Sequence, residues 1–226
     1  MATHVIAYGG SIICPKTYDM SAIKQLASVI NTFPKETFII VIGGGHLARD
    51  LQKKSKFEDS YAKDWIGIAA TRINAEFVRS YLAKACKNVH KEILLEPKKV
   101  AGSKVYVAGG WKPGASTDYD AVYFAQIYNA KRAYKISNFS DVLDVKPQDF
   151  NAKKIHSYKI LKTIRWNKIC TLVGNSWIPG LNTPLDPAAA KLGKELGKKG
   201  FQLYLGKKED LENMISGKYT GTIIGT

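Results

Sequence analysis

The chain has 226 residues, and its 45% hydrophobic content is enough for one large α/β domain with a buried core. Lys and Arg number 34 against 19 Asp and Glu, a net charge of +15, so the surface is expected to attract polyanions, nucleotides and other phosphorylated molecules. The three cysteines are widely spaced and form no C-x-x-C pair, which argues against a disulfide framework and a zinc site. The apolar runs are shorter than the roughly 18 residues of a membrane span, which argues against membrane helices. Together these features predict a cytoplasmic protein.

Strand and helix patterns alternate along the first half of the chain. A strand at 4–8 ends in Gly-Gly-Ser, a helix begins near Asp19 as its N-cap, and the strand TFIIVI at 37–42 runs into three glycines. A long helical segment from about Tyr61 to Cys86 follows, with an apolar stripe formed by Ile66, Ile73, Phe77 and Tyr81. This alternation is typical of a mostly parallel sheet covered by helices.

The second half continues the alternation. Strands at 105–109 and 133–137 bracket a helix at roughly 118–130. Asp186 followed by Pro187 is a strong helix start, because the acid caps the first turn and proline suits its first position. The last unit is a strand at 201–205, a helix at 208–216 that is stopped by Gly217, and a strand within TGTIIG.

Three loops that follow predicted strands are rich in glycine. They contain Gly9-Gly10-Ser11, Gly43-Gly44-Gly45, and Gly109-Gly110 with Gly114. In open α/β sheets ligands bind beyond the carboxyl ends of the strands, and such loops leave backbone N–H groups free for anions. Each loop taken singly is also consistent with a simple tight turn. Neither G-x-x-x-x-G-K-[ST] nor G-x-G-x-x-G is present, so neither a P-loop nor a dinucleotide-binding Rossmann motif is supported.

Several charged residues lie near these loops. Arg49 lies in the first turn after the second loop, where a guanidinium can hold phosphate. Thr117 and Asp118 lie where a loop becomes a helix, and Asp118 faces the strand-end crevice or simply complements the helix dipole. Asp64 and Arg72 are about two helical turns apart and share a face, which suits a nucleoside monophosphate, with an ordinary solvated face as the alternative.

The ordered motifs resemble those of archaeal-type uridylate (UMP) kinases of the amino acid kinase superfamily along nearly the whole chain. The matching pieces are GGSII, VIGGGHLAR, KDWIGIAATRINA, GGWKPGASTDYDA, SNFSDVLDVKP, LDPAAAKL, YLGKKEDLENMISG and GTII. The resemblance implies a three-layer αβα sandwich with a mostly parallel central sheet. It also implies a single domain over 1–226, with ATP and a phosphorylated acceptor in one crevice, usually within a hexamer.

By the same resemblance the chain transfers phosphate from ATP to UMP, with Mg²⁺ as cofactor. Residues 1–130 would mainly serve the acceptor and 131–226 the ATP. The transferring phosphoryl would lie near Gly9, Gly10 and Ser11. The acceptor phosphate would lie near Gly43 to Gly45, Arg49 and Arg72, and its ribose near Asp64. Thr117 and Asp118 match the family's Thr-Asp pair, whose acid organises the catalytic centre. The nucleotide loop contributes Asn138, Ser140, Asp141, Leu143 and Lys146.

Two departures from the family affect the ATP side. Ala7 stands where many relatives carry a lysine that neutralises the transferring phosphate. The family's nucleotide loop, Asn-x-Asp-Gly-Val-Tyr, here reads Asn-Phe-Ser-Asp-Val-Leu from residue 138 to residue 143. Lys112 is a candidate for the missing charge, although an exposed loop lysine is the simpler interpretation. These departures leave a second class of function open, in which the protein binds or stores nucleotides or oxyanions without efficient transfer, or phosphorylates another small phosphorylated acceptor.

A basic stretch precedes Asp186. Residues 153–168 carry six Lys or Arg, no acid, and the aromatic residues Tyr158 and Trp166. The stretch is compatible with a nucleic-acid surface, a cationic lid for triphosphate, or a solvated basic face.

Overall fold

Strands and helices alternate and form a central sheet with helices on both faces. The computed structural model describes residues 1–55, 58–151, 157–176 and 183–225. Within these ranges the strands are β1 Thr3–Tyr8, β2 Thr37–Ile42, β3 Val105–Ala108, β4 Arg132–Ile136, β5 Val142–Leu143, β6 Ile160–Leu161, β7 Thr163–Arg165, β8 Gln202–Gly206 and β9 Thr222–Gly225. The helices are α1 Gly10–Ile13, α2 Met20–Thr32, α3 Gly45–Lys54, α4 Ser60–Ala85, α5 Thr117–Ile127, α6 Pro147–Asn151, α7 Trp166–Val173, α8 Pro187–Gly197 and α9 Leu211–Ile215, the last preceded by a 3₁₀ turn at Lys208–Asp210.

The large sheet has seven strands in the order β3-β2-β1-β4-β8-β9-β7, and β5 pairs with β6 separately. Neighbouring strands of the large sheet run parallel except for β8 and β9. Ala7 of β1 lies opposite Val41 of β2 on one side and opposite Lys135 of β4 on the other. Because β1 to β4 are parallel, the loops that follow them leave the sheet at one edge.

Each face of the sheet has its own hydrophobic core. Helices α2, α4 and α9 cover one face, whereas α5, α7 and α8 cover the other. Successive side chains of a strand point to opposite faces, so a strand covered on both sides reads as a continuous apolar run, as TFIIVI in β2 does. The predicted three-layer αβα architecture with a mostly parallel sheet is confirmed.

Two predicted helix starts carry side-chain caps. The Asp19 carboxylate accepts the N–H groups of Ser21 and Ala22 at 2.9 and 3.2 Å at the start of α2. Asp186 accepts the N–H of Ala189 at 2.9 Å, and Pro187 is the first residue of α8. Each such cap stabilises its helix by about 1 kcal/mol.

The buried face of α4 differs from the predicted apolar stripe. Ile73 and Phe77 are 53% and 38% exposed. The residues of α4 that are buried are Ile68, Ala70, Thr71, Asn74, Ala75, Val78 and Leu82. The predicted stripe lies largely outside the core because α4 carries apolar residues on two faces, and it is the other face that meets the sheet.

The second half contains short elements that were not predicted, namely β5, β6, β7, α6 and α7. Strands of two or three residues are too short to show a period-2 pattern. The helix expected at 208–216 is divided into the 3₁₀ turn and α9, and it ends before Gly217, which has a φ of +86°. Within the described ranges no helix has the length and apolar character needed to cross a bilayer.

Candidate functional site

The first two glycine loops touch each other at the carboxyl edge of the sheet. A Cβ on Gly43 would lie 2.5 Å from the backbone nitrogen of Gly10, so neither loop accommodates a side chain at this contact. Gly45 has a φ of +60°, a left-handed conformation that favours glycine. Gly9 donates its N–H to the carbonyl of Ile136 at 2.9 Å, which joins the first loop to β4. The consecutive glycines therefore allow the two backbones to approach closely.

Asn74 of α4 holds the second loop from below. It is fully buried and donates to the carbonyls of Gly43 and Gly44 at 2.9 and 3.1 Å, while accepting from the Tyr18 hydroxyl at 3.0 Å. Sequence reasoning missed this residue, although an amide among the apolar residues of a long helix was an available signal. Helices α1 and α3 begin at these loops, and their first N–H groups have no acceptor within the helix. The second residue of α1 is Ser11, which is partly exposed.

Two side chains of α4 contact the third glycine loop. Arg72 donates to the carbonyls of Gly110 and Trp111 at 3.2 and 3.1 Å. The Asp64 carboxylate accepts the N–H of Gly114 at 2.9 Å. The Asp64 and Arg72 side chains, which the spacing placed on one helix face, thus both position the 109–114 loop.

Asp118 forms a largely buried ion pair at the start of α5. The helix begins at Thr117, after Ser116, whose hydroxyl accepts the N–H of Tyr119 at 3.1 Å. Lys135 Nζ of β4 donates to Asp118 Oδ2 at 2.5 Å, and the two side chains are only 12% and 17% exposed. Lys135 was not among the predicted site residues. Its signal in the sequence was a lysine inside the apolar strand pattern AYKIS.

Two further carboxyl groups lie near this pair. Burial raises the pKa of Asp120 from 3.8 to about 7, against the lowering effect of the N–H that Trp111 donates to Oδ2 at 3.1 Å. No described residue forms a hydrogen bond with Asp120 Oδ1. Burial also raises the pKa of Asp186, and the nearby charge of Asp118 adds to this effect. The site thus contains three carboxyl groups, those of Asp118, Asp120 and Asp186, whose negative charges disfavour one another. The positive charge of Lys135 offsets that of Asp118.

A cavity of about 610 Å³ opens beside the first loop. Its described lining includes the predicted residues Ser11, Asn138, Ser140, Asp141 and Leu143, together with Phe139, Tyr158 and Lys207, which were not predicted as site residues. Lys207 had a signal in the sequence, since it follows a predicted strand that ends at the same sheet edge.

Arg49 and Lys146 are exposed side chains. Arg49 is the fifth residue of α3, one position beyond the first turn in which the sequence placed it. Lys146 does not belong to the described lining of the cavity, and its carbonyl accepts the N–H groups of Asp149 and Phe150 at 3.0 and 3.1 Å. Lys112 is also exposed, with Nζ 3.9 Å from the centroid of the Trp111 ring.

The described part of the basic stretch is partly neutralised. Lys162 pairs with Asp141 at 2.6 Å, and Lys168 pairs with Asp144 at 2.7 Å. Burial alone would raise the pKa of Asp141, but hydrogen bonds from Lys162 and Ser140 outweigh this effect and lower it. Trp166 is 5% exposed and belongs to a core, so it is not part of a basic surface. Lys153 and Lys154 lie outside the described residues. A nucleic-acid surface stays a prediction.

Comparisons with known proteins identify the family of the chain. The sequence matches the Amino acid kinase family over residues 2–201. It is 31% identical to a uridylate kinase of Pyrococcus abyssi and 30% identical to one of Methanococcus aeolicus, each match covering 97% of this chain and 98% of the relative. The crystal structure of uridylate kinase from Archaeoglobus fulgidus superimposes with a TM-score of 0.80 at 25% identity and covers 100% of both chains. The chain therefore belongs to the amino acid kinase family.

Proposed function

We propose that the protein transfers the γ-phosphoryl group of ATP to a nucleoside monophosphate, with UMP as the acceptor and UDP as the product. The observation that carries the proposal is the convergence of two glycine loops and the Asp118–Lys135 pair at one sheet edge, where a cavity of about 610 Å³ opens. Small-molecule sites typically measure about 300–1,000 Å³. Family membership supports a phosphotransferase enzyme. The relatives named uridylate kinase support UMP as the acceptor.

We assign the acceptor mainly to residues 1–130 of the single domain. The backbone of Gly43 to Gly45, at the start of α3, would hold the acceptor phosphate, because the positive end of the helix dipole favours an anion there. Arg49 and Arg72 would add positive charge. Asp64 would accept from the ribose hydroxyls, and Thr117 would border the acceptor. The contacts of Asp64 and Arg72 with the 109–114 loop support this assignment, since they place both side chains beside one loop.

We assign ATP mainly to residues 131–226. The described cavity lining is drawn largely from the segment that follows β4, including Asn138, Ser140, Asp141 and Leu143. Ser11 lies on the same cavity, so the triphosphate would extend from it toward α1. Lys146, which lies outside this lining, would act only on the outer part of the nucleotide.

The proposed chemistry is a single displacement. An oxygen of the acceptor phosphate forms a bond to Pγ, and the bond between Pγ and the β–γ bridging oxygen breaks, with its electron pair leaving on ADP. Protein groups serve to position the phosphates and to offset the negative charge on the transferring group. Backbone N–H groups of Gly10 and Ser11 would contact that group, and Asp118 would organise the centre.

Magnesium would arrive as part of the substrate Mg·ATP. Mg²⁺ is usually held by one or two carboxylates together with substrate phosphates, and not by a dedicated protein cage. The described ranges contain no group of three or more His, Cys, Asp or Glu side chains that could hold a metal ion.

The experiment is a coupled ADP-release assay with Mg·ATP and a panel of UMP, CMP, AMP and GMP. The proposal expects turnover that is highest with UMP. Turnover with another member of the panel would change the acceptor but retain the enzyme class. If no nucleotide supports turnover while calorimetry detects ATP or UMP binding, the protein is instead a binding or storage member of the family.

We further propose that the protein is a cytoplasmic homo-oligomer. Ile73 and Phe77 leave part of α4 apolar and exposed, and Tyr18 stacks on Phe77 with ring centroids 3.8 Å apart. Apolar patches on a surface commonly mark protein contacts, and a second copy of the chain fits the hexamer implied by the resemblance. Light scattering of the purified protein tests this: a monomer at micromolar concentration contradicts it.

A further inference from the structure

Lys135 occupies the position beside Ala7 on the neighbouring strand. The register of the parallel pair β1 and β4 sets Ala7 directly opposite Lys135. Paired residues of neighbouring strands point to the same face of a sheet. Ala7 and Ala133 belong to the core beneath α5, so Lys135 lies on the α5 side, where its Nζ reaches Asp118. The two strand positions therefore share one space beneath the start of α5.

One lysine occupies that space. The methyl group of Ala7 leaves the space to the Lys135 side chain, which is only 12% exposed. Two lysines in opposite positions on one face would repel each other and would compete for Asp118. A small residue at position 7 and a lysine at position 135 are thus complementary.

We propose that Lys135 is a catalytic residue that supplies from β4 the positive charge that Ala7 cannot supply from β1. This inference rests on the proposed phosphoryl transfer. Nζ donates one of its three hydrogens to Asp118, and the remaining two are directed to oxygens of the transferring phosphoryl group. Asp118 acts as the positioning residue that fixes the ammonium group. Negative charge on the transferring group is thereby offset while the bond to the acceptor forms and the bond to ADP breaks.

The surroundings of Lys135 agree with this role. Its Nζ lies 5.9 Å from the ring centroid of Phe139, a residue that lines the 610 Å³ cavity. The backbone of β4 next to it accepts the Gly9 N–H, so the cation and the first glycine loop are fixed to one strand. Other lysines near the crevice are less suited, because their charges are solvated: the Lys162 side chain is 63% exposed in its pair with Asp141, and Lys112 and Lys207 are exposed.

The test uses three variants of the full chain. Lys135→Met keeps the length of the side chain and removes its charge, and we expect kcat to fall by about 100-fold with the KM for UMP changed less than about threefold. Lys135→Arg should retain more than a tenth of the activity. The exchange variant Ala7→Lys with Lys135→Ala should recover at least about tenfold over Lys135→Met, because it returns a lysine to the same space from the other strand.

Lys131→Ala is the matched control. Lys131 precedes β4 at the opposite end of the strand, where its Nζ donates to the carbonyl of Lys199, and its removal should leave kcat unchanged. Melting temperatures of all variants separate loss of charge from loss of fold. The inference is overturned if Lys135→Met keeps kcat within about threefold, or if neither Lys135→Arg nor the exchange variant recovers activity while remaining folded.

A second readout separates this inference from the proposed function. If the wild-type protein is inactive with every nucleotide of the panel, the proposed function fails. Inorganic tripolyphosphate then serves as the probe in calorimetry. Lys135→Met should bind it about tenfold more weakly than the wild type, and Lys131→Ala should bind it equally well. Equal binding by wild type and Lys135→Met would show that Lys135 does not face the phosphates.

Discussion

The two sides of the crevice are built from different parts of the chain. On the side of residues 1–130, two glycine loops pack backbone against backbone, and Asn74 fixes the carbonyls of the second loop. On the side of residues 131–226, the cavity is lined largely by residues of the segment that follows β4. The packed glycine loops tolerate no added Cβ, whereas side chains that line a cavity can change without disturbing the fold. The departures from the family's nucleotide loop lie in this second, more tolerant region.

Asp118 joins the two regions, and its removal has the largest expected effect. Asp118→Asn keeps an acceptor for Lys135 but removes the negative charge that fixes it. We expect kcat to fall by about 1,000-fold with the fold retained. The coupled assay and a thermal melt measure the two quantities. Glu195→Gln, which alters an exposed ion pair with Lys198, is the control and should change neither. A retained rate in Asp118→Asn would show that the catalytic assignment is wrong.

Gly43→Ala tests the close packing of the first two glycine loops. The new Cβ would lie 2.5 Å from the nitrogen of Gly10, so one loop must shift. Overpacking of this kind typically costs about 1–3 kcal/mol, and a displacement of about 1 Å costs about 100-fold in rate. Gly67→Ala is the matched control, because its Cβ meets only the flexible end of Gln52 and alanine favours the helix. If both variants behave alike in melting and turnover, the close approach of the loops has no functional importance.

Asp120 is buried next to the third glycine loop and should make the stability of the protein depend on pH. Burial raises its folded-state pKa from 3.8 to about 7, so the folded protein holds a proton that the unfolded chain releases. The contribution of the protonated Asp120 carboxyl to the free energy of unfolding is therefore full below about pH 4 and is lost as the pH rises toward 7. Asp120→Asn should melt about 5 °C higher than the wild type at pH 8 and show a smaller difference at pH 5. A gain that is equal at both pH values would contradict the buried, protonated carboxyl.

Much of the fold was predictable because its signals are local. The apolar run of β2, the glycines that follow it and the Asp19 cap each depend on a few neighbouring residues. The buried face of α4 was not predictable, because Ile73 and Phe77 are as apolar as the residues that pack on the sheet. Only the packing of the helix decides which face is covered.

The site was predictable in its backbone parts and less so in its side-chain contacts. The glycine loops follow from the rule that parallel strands end at one edge. Lys135 was missed because its importance comes from a register: it lies opposite Ala7, which is distant in sequence, and forms an ion pair with Asp118. Pairings of this kind appear only once the strands are aligned.

Leu143→Tyr has the smallest expected effect and tests whether the ATP side of the crevice tolerates substitution. Leu143 lines the cavity, and the family resemblance implies a tyrosine at this position. An added aromatic contact with adenine is worth about 1 kcal/mol, so the KM for ATP should fall about fivefold, with kcat and melting temperature unchanged. Leu143→Ala, as the control, should raise the KM for ATP. Gly43→Ala is expected to lower both kcat and melting temperature. If Leu143→Tyr does the same, the cavity lining on the ATP side is as constrained as the glycine loops, and the contrast between the two sides does not hold.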